Sequence, residues 1–446
     1  MQQNKYAKMY QVKYLFILLF ILMCSLGFSQ EIVSKKYTID EIVQLALDNN
    51  QKLKVSKKSV DIAKQQTEVY KQLQLPNVSL GATAMYLGDI EILDTDFSNL
   101  QTVDMPHFGN TFSLQAQQLL YKGNAINNTI KVGSLQEKLA NLNVENDEIG
   151  IKSLVISNYL SLYKLYNQKQ VFLENIKLAQ KRIDNVTSFY NQGMVTRNEV
   201  IRGDLLLASL NQAIVTIDNN ISILNNQLVI ALGLPANTKI IPDEETLKLN
   251  PALQNIETYQ DEVATNHPLI RTMDTQKELA ETSLDISKAD KLPTLAGFAG
   301  YNMQRPLTNS FPINDVYSNS WQVGVSLTYN IESLYKNKAK ESLNKLKVEQ
   351  VTEAKTLTQQ NLQVATQAAY LKYNEAVSQK ATYLESKRLA EENYKIIEKK
   401  YLNQLALITE MLDASNSKLE AELQYVNSEI NILQAYYNVL KTVGTL

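Results

Sequence analysis

From residue 333 to 443 the chain contains neither glycine nor proline, and its apolar positions keep a seven-residue beat. Leu362, Ala369, Ala376, Tyr383, Ala390 and Ile397 mark one register. After a one-residue slip, Leu405, Leu412, Leu419, Val426, Leu433 and Leu440 mark a second. A heptad cadence predicts left-handed coiled-coil packing. The slip falls in residues 401–410, which predicts a turn between two long antiparallel helices. The first of these is about 100 Å long at 1.5 Å per residue. An earlier stretch has the same design. A long helix over about 124–192, containing only Gly133 and Gly150, precedes a return helix. That helix carries Val200, Leu207, Ile214, Ile221 and Leu228, with Leu210, Ile217 and Leu224 between them.

A second periodicity, of two, appears in four shorter runs. In WQVGVSLTYNI, Val323, Val325, Leu327, Tyr329 and Ile331 alternate with Gln322, Gly324, Ser326, Thr328 and Asn330. Phe112, Leu114, Ala116 and Leu120 alternate likewise with Thr111, Ser113, Gln115 and Gln117. Partner runs open after prolines, as NVSLGATAMYL and TLAGFAGYNM. The strands are expected at about 77–88, 110–122, 293–303 and 320–332. Runs of about ten residues, apolar on one face and small or polar on the other, fit outer-membrane barrel strands. A half-buried sheet on a soluble core would also produce them. Their place between very long helices favours the barrel. The loops at 88–109 and 304–319 read as polar and irregular.

The two halves correspond. Thr38 and Glu41 have capping-box spacing at the start of a helix. Asn49-Asn50-Gln51 lines up with Asn266-His267-Pro268, and Leu75-Pro76 with Leu292-Pro293, at an offset of 217. Tyr190 and Glu199 line up with Tyr401 and Glu410 at an offset of 211. The expected organisation is a tandem duplication: a first repeat over 30–236, a connector over 237–258 and a second repeat over 259–446. Each repeat holds a moderate helix, two strands and a long helical hairpin, at about 124–232 and 333–443.

Composition narrows the function. The 44 Lys and Arg against 46 Asp and Glu leave no basic footprint for nucleic acid. Lys5, Lys8 and Lys13 precede an apolar run from Leu15 to Phe28, and Gly27 and Ser29 fit a small-x-small cleavage site. The run is short for a membrane span. Residues 1–29 are therefore expected to be a signal peptide that removes Cys24, the only cysteine. His107 and His267 stand far apart, and no metal, nucleotide or nucleophile motif is present. No enzymatic activity and no cofactor is expected. Tyr86, Phe112, Tyr121, Tyr301, Tyr317, Trp321 and Tyr329 lie near strand ends and suit interfacial girdles.

Four strands cannot close a barrel, and an open sheet edge in lipid leaves backbone groups unsatisfied. Sister copies must close it. Two copies would give eight strands with a filled interior; three would give twelve with a lumen. Helices of about 100 Å outreach a bilayer of about 30 Å, so the hairpins must project into the periplasm.

The start at Ala46 to Asn50, the Leu-Pro strand openings, YNQGMVTRNEV at Tyr190, LGLP at Leu232 and the EMLDA turn following Tyr401 occur in one order across the mature chain. In that order the chain resembles the TolC family of outer-membrane efflux and secretion channels. The resemblance implies a fold that is mainly α with a small β part. Long antiparallel hairpins form a periplasmic helical barrel, and four transmembrane strands per chain complete a twelve-stranded barrel in a homotrimer. It implies a passive exit duct in the outer-membrane lipid for a tripartite efflux or type I secretion system. Its partners would be a periplasmic adaptor and an inner-membrane pump of the RND or ABC class. It also implies a periplasmic constriction at the hairpin tips: an acidic ring of Glu410 and Asp413, a tying tyrosine at Tyr401, and Asn198 and Glu199 on the first tip. Gln404 and Ala406 stand where glycine and a basic residue are common in the family, so the closure chemistry here differs. The competing reading is a periplasmic or cell-surface structural coiled coil without a pore.

Overall fold

A computed structural model describes residues 33–244, 251–310 and 312–446. The expected signal peptide with Cys24, and residues 245–250 of the expected connector, lie outside the described residues. In chain order the elements are β1 (Val33–Tyr37), α1 (Ile39–Asn49), α2 (Gln51–Lys71), β2 (Asn77–Tyr86), β3 (Ile90–Leu93), β4 (Asn99–Val103) and β5 (Phe108–Tyr121). Then come α3 (Ala125–Asn191), α4 (Arg197–Leu232), β6 (Thr238–Pro242), α5 (Ile256–Asn266), α6 (Pro268–Ala289), β7 (Thr294–Arg305), β8 (Ser318–Thr328), α7 (Ser333–Leu402) and α8 (Ile408–Val443). The protein is mainly helical. The chain divides into two compact units: one takes the chain up to Asn50 with Leu154–Pro251 and Val377–Gln434, the other Gln51–Ser153, Ala252–Ala376 and Ala435–Leu446.

The second of these units holds a four-stranded antiparallel sheet in the order β2-β5-β7-β8. Directly paired residues on antiparallel strands share a face. One row across the sheet is therefore Leu80, Leu114, Tyr301 and Trp321, and the next is Val78, Ala116, Ala299 and Val323. The opposite face carries Ser79, Gln115, Gly300 and Gln322. The apolar face is bare: Trp321 is 77% exposed, Val323 72%, Val325 69% and Leu327 71%. β8 ends before Tyr329, because Ser333 and Leu334 donate back to Asn330 and Ile331 to open α7. Residues 88–109, expected to be irregular, instead contain the β3–β4 hairpin, whose turn is tied by Asp94 and Ser98.

In the same unit α3 runs unbroken through Gly133 and Gly150. Gly133 is needed for close approach: a Cβ there would stand 2.8 Å from the Tyr70 ring and 3.1 Å from the Cα of Thr67. Ion pairs join neighbouring helices, Lys131 to Glu278 at 2.8 Å and Arg271 to Glu145 at 2.6 Å. At this exposure solvent screens such pairs and they add little to stability. α6 opens on His267, whose Nδ1 accepts the Leu269 N–H at 3.1 Å. Burial pushes the His267 imidazole below its ordinary value.

The other unit begins with a two-stranded parallel sheet, β1 with β6, that the periodicity did not suggest. Fully buried Tyr159 donates to the Tyr37 carbonyl at 2.5 Å and accepts from the Asp243 N–H at 2.8 Å. Thr38 and Glu41 form the expected capping box, but the helix stops at Asn49 and restarts at Gln51. The Asn50 side chain donates to the Ala231 carbonyl at 3.1 Å. Along α4 the buried Gly203, Leu210, Ile217, Ile221 and Leu228 keep heptad spacing, and Val229 and Leu232 are buried beside them at its end. On α8 the buried positions within this unit include the small residues Ala414, Ala421 and Ser428 together with Met411, Ile430, Ile432 and Leu433. Of the expected leucine line Leu433 is buried, Leu412, Leu419, Val426 and Leu440 are half-buried, and Leu405 sits in the turn, 76% exposed. Ala414, Ala421 and Ser428 are small enough to let the backbones approach, so Leu412, Leu419 and Val426 border the seam there.

Candidate functional site

The two helical hairpins turn at 192–196 and 403–407, and the turns share one backbone design. Gly193 N–H donates to the Tyr190 carbonyl at 2.9 Å and Met194 N–H to Phe189 at 2.9 Å. In the second turn Gln404 N–H donates to Tyr401 at 2.9 Å and Leu405 N–H to Lys400 at 2.8 Å. This helix-ending pattern needs a left-handed residue, usually glycine. Gly193 supplies it at φ 75°, and Gln404 adopts it at φ 63° despite its side chain. The two tips touch through Gln404 Nε2 and the Met194 sulfur, 3.8 Å apart.

Behind the turns lies an apolar cluster of Val186, Tyr394, Tyr401, Ile408 and Met411, joined by half-buried Val195, Val200, Ile397, Ala406 and Leu412. Ala406 therefore packs where a basic residue would carry charge into the cluster. Tyr401 is 5% exposed, and its hydroxyl donates to Glu199 Oε2 at 3.2 Å. Burial first, and the Glu199 charge second, push the Tyr401 phenol well above its ordinary range. It is thus a fixed neutral donor aimed at an acceptor on α4. The link joins the second hairpin to the first.

Glu410 has another local task. Its Oε2 accepts the Leu407 N–H at 2.9 Å, closing the first turn of α8. Asp413 and Asn198 are exposed on their helices. The structure thus brings Tyr401 and Glu199 together, and leaves Asn198, Glu410 and Asp413 on the surface of the tips.

Periodicity did not reveal Arg182. Only 8% exposed, it donates through Nη2 to the Tyr394 hydroxyl at 3.2 Å and to Ser415 Oγ at 3.1 Å, bridging α3, α7 and α8. Its Nε and Nη1 have no hydrogen-bond partner among the described residues. The guanidinium also lies 5.7 Å from the Tyr394 ring centre. Burial raises the Tyr394 phenol above its ordinary value and Arg182 partly opposes the shift. In sequence an arginine on a polar helix looks like any solvated one, so only packing could identify it.

Long helical hairpins and a two-faced antiparallel sheet in one chain define the architecture of an outer-membrane channel protomer. The family model for outer membrane efflux proteins matches residues 42–234 and 260–445. The chain belongs to that family, and it is an outer-membrane efflux channel. Its family is one of channels rather than enzymes. Solved structures show the same fold. VceC from Vibrio cholerae is 13% identical with a TM-score of 0.74, over 91% of this chain and 96% of that one. CmeC from Campylobacter jejuni is 16% identical at 0.72, over 91% and 85%. CusC is 15% identical at 0.76, over 91% of each. No curated relative matches at the level of sequence.

Proposed function

We propose that three copies of this chain complete a twelve-stranded barrel and a twelve-helix periplasmic tube, forming the passive outer duct of a tripartite efflux or type I secretion system. The observation that carries this is the sheet. Among the described residues its apolar face is uncovered, and β2 and β8 each have one neighbour. In lipid those two edges require strands from other copies. α4 is long and apolar enough by composition to cross a membrane. Its heptad spacing instead suits a seam between helices.

A tandem duplication over 30–236 and 259–446, joined by 237–258, accounts for paired features. The family model matches two stretches. The long helices have 67 and 70 residues and both return helices 36. Periplasmic adaptor and inner-membrane pump would engage the helical hairpins, whose tips form the constriction. There Tyr401 and Glu199 hold the closed state, and threefold symmetry gathers Glu410 and Asp413, flanked by Asn198, into an acidic ring. Such a ring attracts cations.

Single-channel recording in planar bilayers tests the constriction. Glu410→Gln/Asp413→Asn is expected to raise conductance and to weaken cation preference and divalent block. Unchanged conductance, selectivity and block would remove these residues from the ring. A mature chain that stays a soluble monomeric rod without detergent would favour the structural coiled coil.

A further inference from the structure

The sheet's polar face has a property that its general role as a channel wall does not require. Across all four strands Arg305 is the only charged side chain, and register puts it in the same face as Tyr301 and Met303, the apolar one. The opposite face is built at alternate positions over 77–85, 109–119, 294–304 and 318–328. It is composed of Ser, Thr, Asn, Gln and Gly, with Ala296, Met85, Leu119 and a single aromatic, Phe298. It holds no Asp, Glu, Lys or Arg. Gln115, Gln117 and Gln322 are exposed on it. Charge is abundant immediately outside the strands. The hairpin segment 88–107 has five carboxylates and no lysine or arginine, and Lys122 and Lys291 bound the other end.

A charged wall in a narrow pore concentrates counter-ions and excludes co-ions, because low-dielectric walls focus the field. Rings of carboxylates or of basic residues are how pores select by charge. A wall of amides and hydroxyls offers donors and acceptors but no net field. Resting on the channel reading above, we infer that the membrane-spanning part of the duct is charge-blind. It passes polar organic solutes whether cationic, anionic or neutral, and leaves discrimination by charge to the ends of the tube. The class of cargo this wall fits is hydrogen-bonding organic molecules of varied charge, as opposed to inorganic ions chosen by their sign.

Because Cys24 is the only cysteine in the sequence, Cys24→Ser allows a single reporter thiol to be introduced. Gln115→Cys and Gln322→Cys, in full-length channel reconstituted in lipid, are treated with a cationic and an anionic methanethiosulfonate. Each rate is divided by that of a free thiol with the same reagent. The inference expects the two normalised rates to agree within about twofold at both positions, whereas a ring of three like charges about 10 Å away would separate them more than about tenfold. A separation of that size, of either sign, overturns it. If neither thiol reacts while one at Val323→Cys does, the polar face does not line water and the channel reading itself fails.

Discussion

The Tyr401 hydroxyl and the Glu199 carboxylate form the one contact between candidate gate residues that the structure displays, at 3.2 Å. A hydrogen bond to a charged group is worth about 1.5–3 kcal/mol. Tyr401→Phe is expected to lose about that much local stability, read as faster amide hydrogen exchange at the tips. The link also sets a pH dependence. Burial and the Glu199 charge raise the folded phenol above its unfolded value, so the folded tip holds the proton that an unfolded chain releases above about pH 10. The contribution is complete below that pH and is lost as pH rises; Tyr401→Phe should flatten the alkaline limb. His267 has the opposite sign. Its buried imidazole is lowered and must stay neutral to accept the Leu269 N–H. Its stability is present above about pH 6.5 and is lost as pH falls. His267→Asn, the residue type at Asn50, should reduce acid destabilisation in thermal melts between pH 7 and 5. Both tip residues could be named from their positions in the turns. Their pairing could not, because residues 202 apart meet only once the helices are packed.

At the scale of elements, the long helices were legible almost to the residue. The expected helix from 333 to 401 is α7, Ser333–Leu402, and that over 124–192 is α3, Ala125–Asn191. A glycine-free heptad run leaves little room for another structure in α7, and α3 absorbs Gly133 and Gly150 without a break. The exact seam was less legible. On α8 packing buries Ala414, Ala421 and Ser428 ahead of Leu412, Leu419 and Val426, and returns to the leucine line only at Leu433. The turn at 403–407 shows a local cost. A side chain in the left-handed region is disfavoured by about 1–2 kcal/mol, a penalty glycine avoids. Gln404→Gly is expected to raise stability by about 1 kcal/mol, net of the added freedom of the unfolded chain. Urea melts of the reconstituted protein check this; lower stability would show that the Met194 contact outweighs the backbone strain.

For the whole molecule, the two faces of the sheet make opposite demands. Val323 lies mid-strand on the bare apolar face. A lysine near the middle of a bilayer costs about 2–4 kcal/mol. Val323→Lys should therefore block assembly into heat-modifiable oligomers, whereas Gln322→Lys, one residue away on the polar face, should assemble. Equal tolerance of both would remove the assignment of faces, and with it the barrel as the site of closure.

The sequence by itself determined the long helices, the alternation of the strands and the kinship with outer-membrane efflux channels. Each is written in local spacing, of seven or of two, or in short motifs in a fixed order. Tertiary structure decided what depends on distant residues meeting. These are the β1–β6 pair, the burial of Arg182 among three helices, the small-residue seam of α8 and the Tyr401–Glu199 link. Periodicity shows which face of an element is apolar, but only packing in three dimensions fixes which polar group finds which partner.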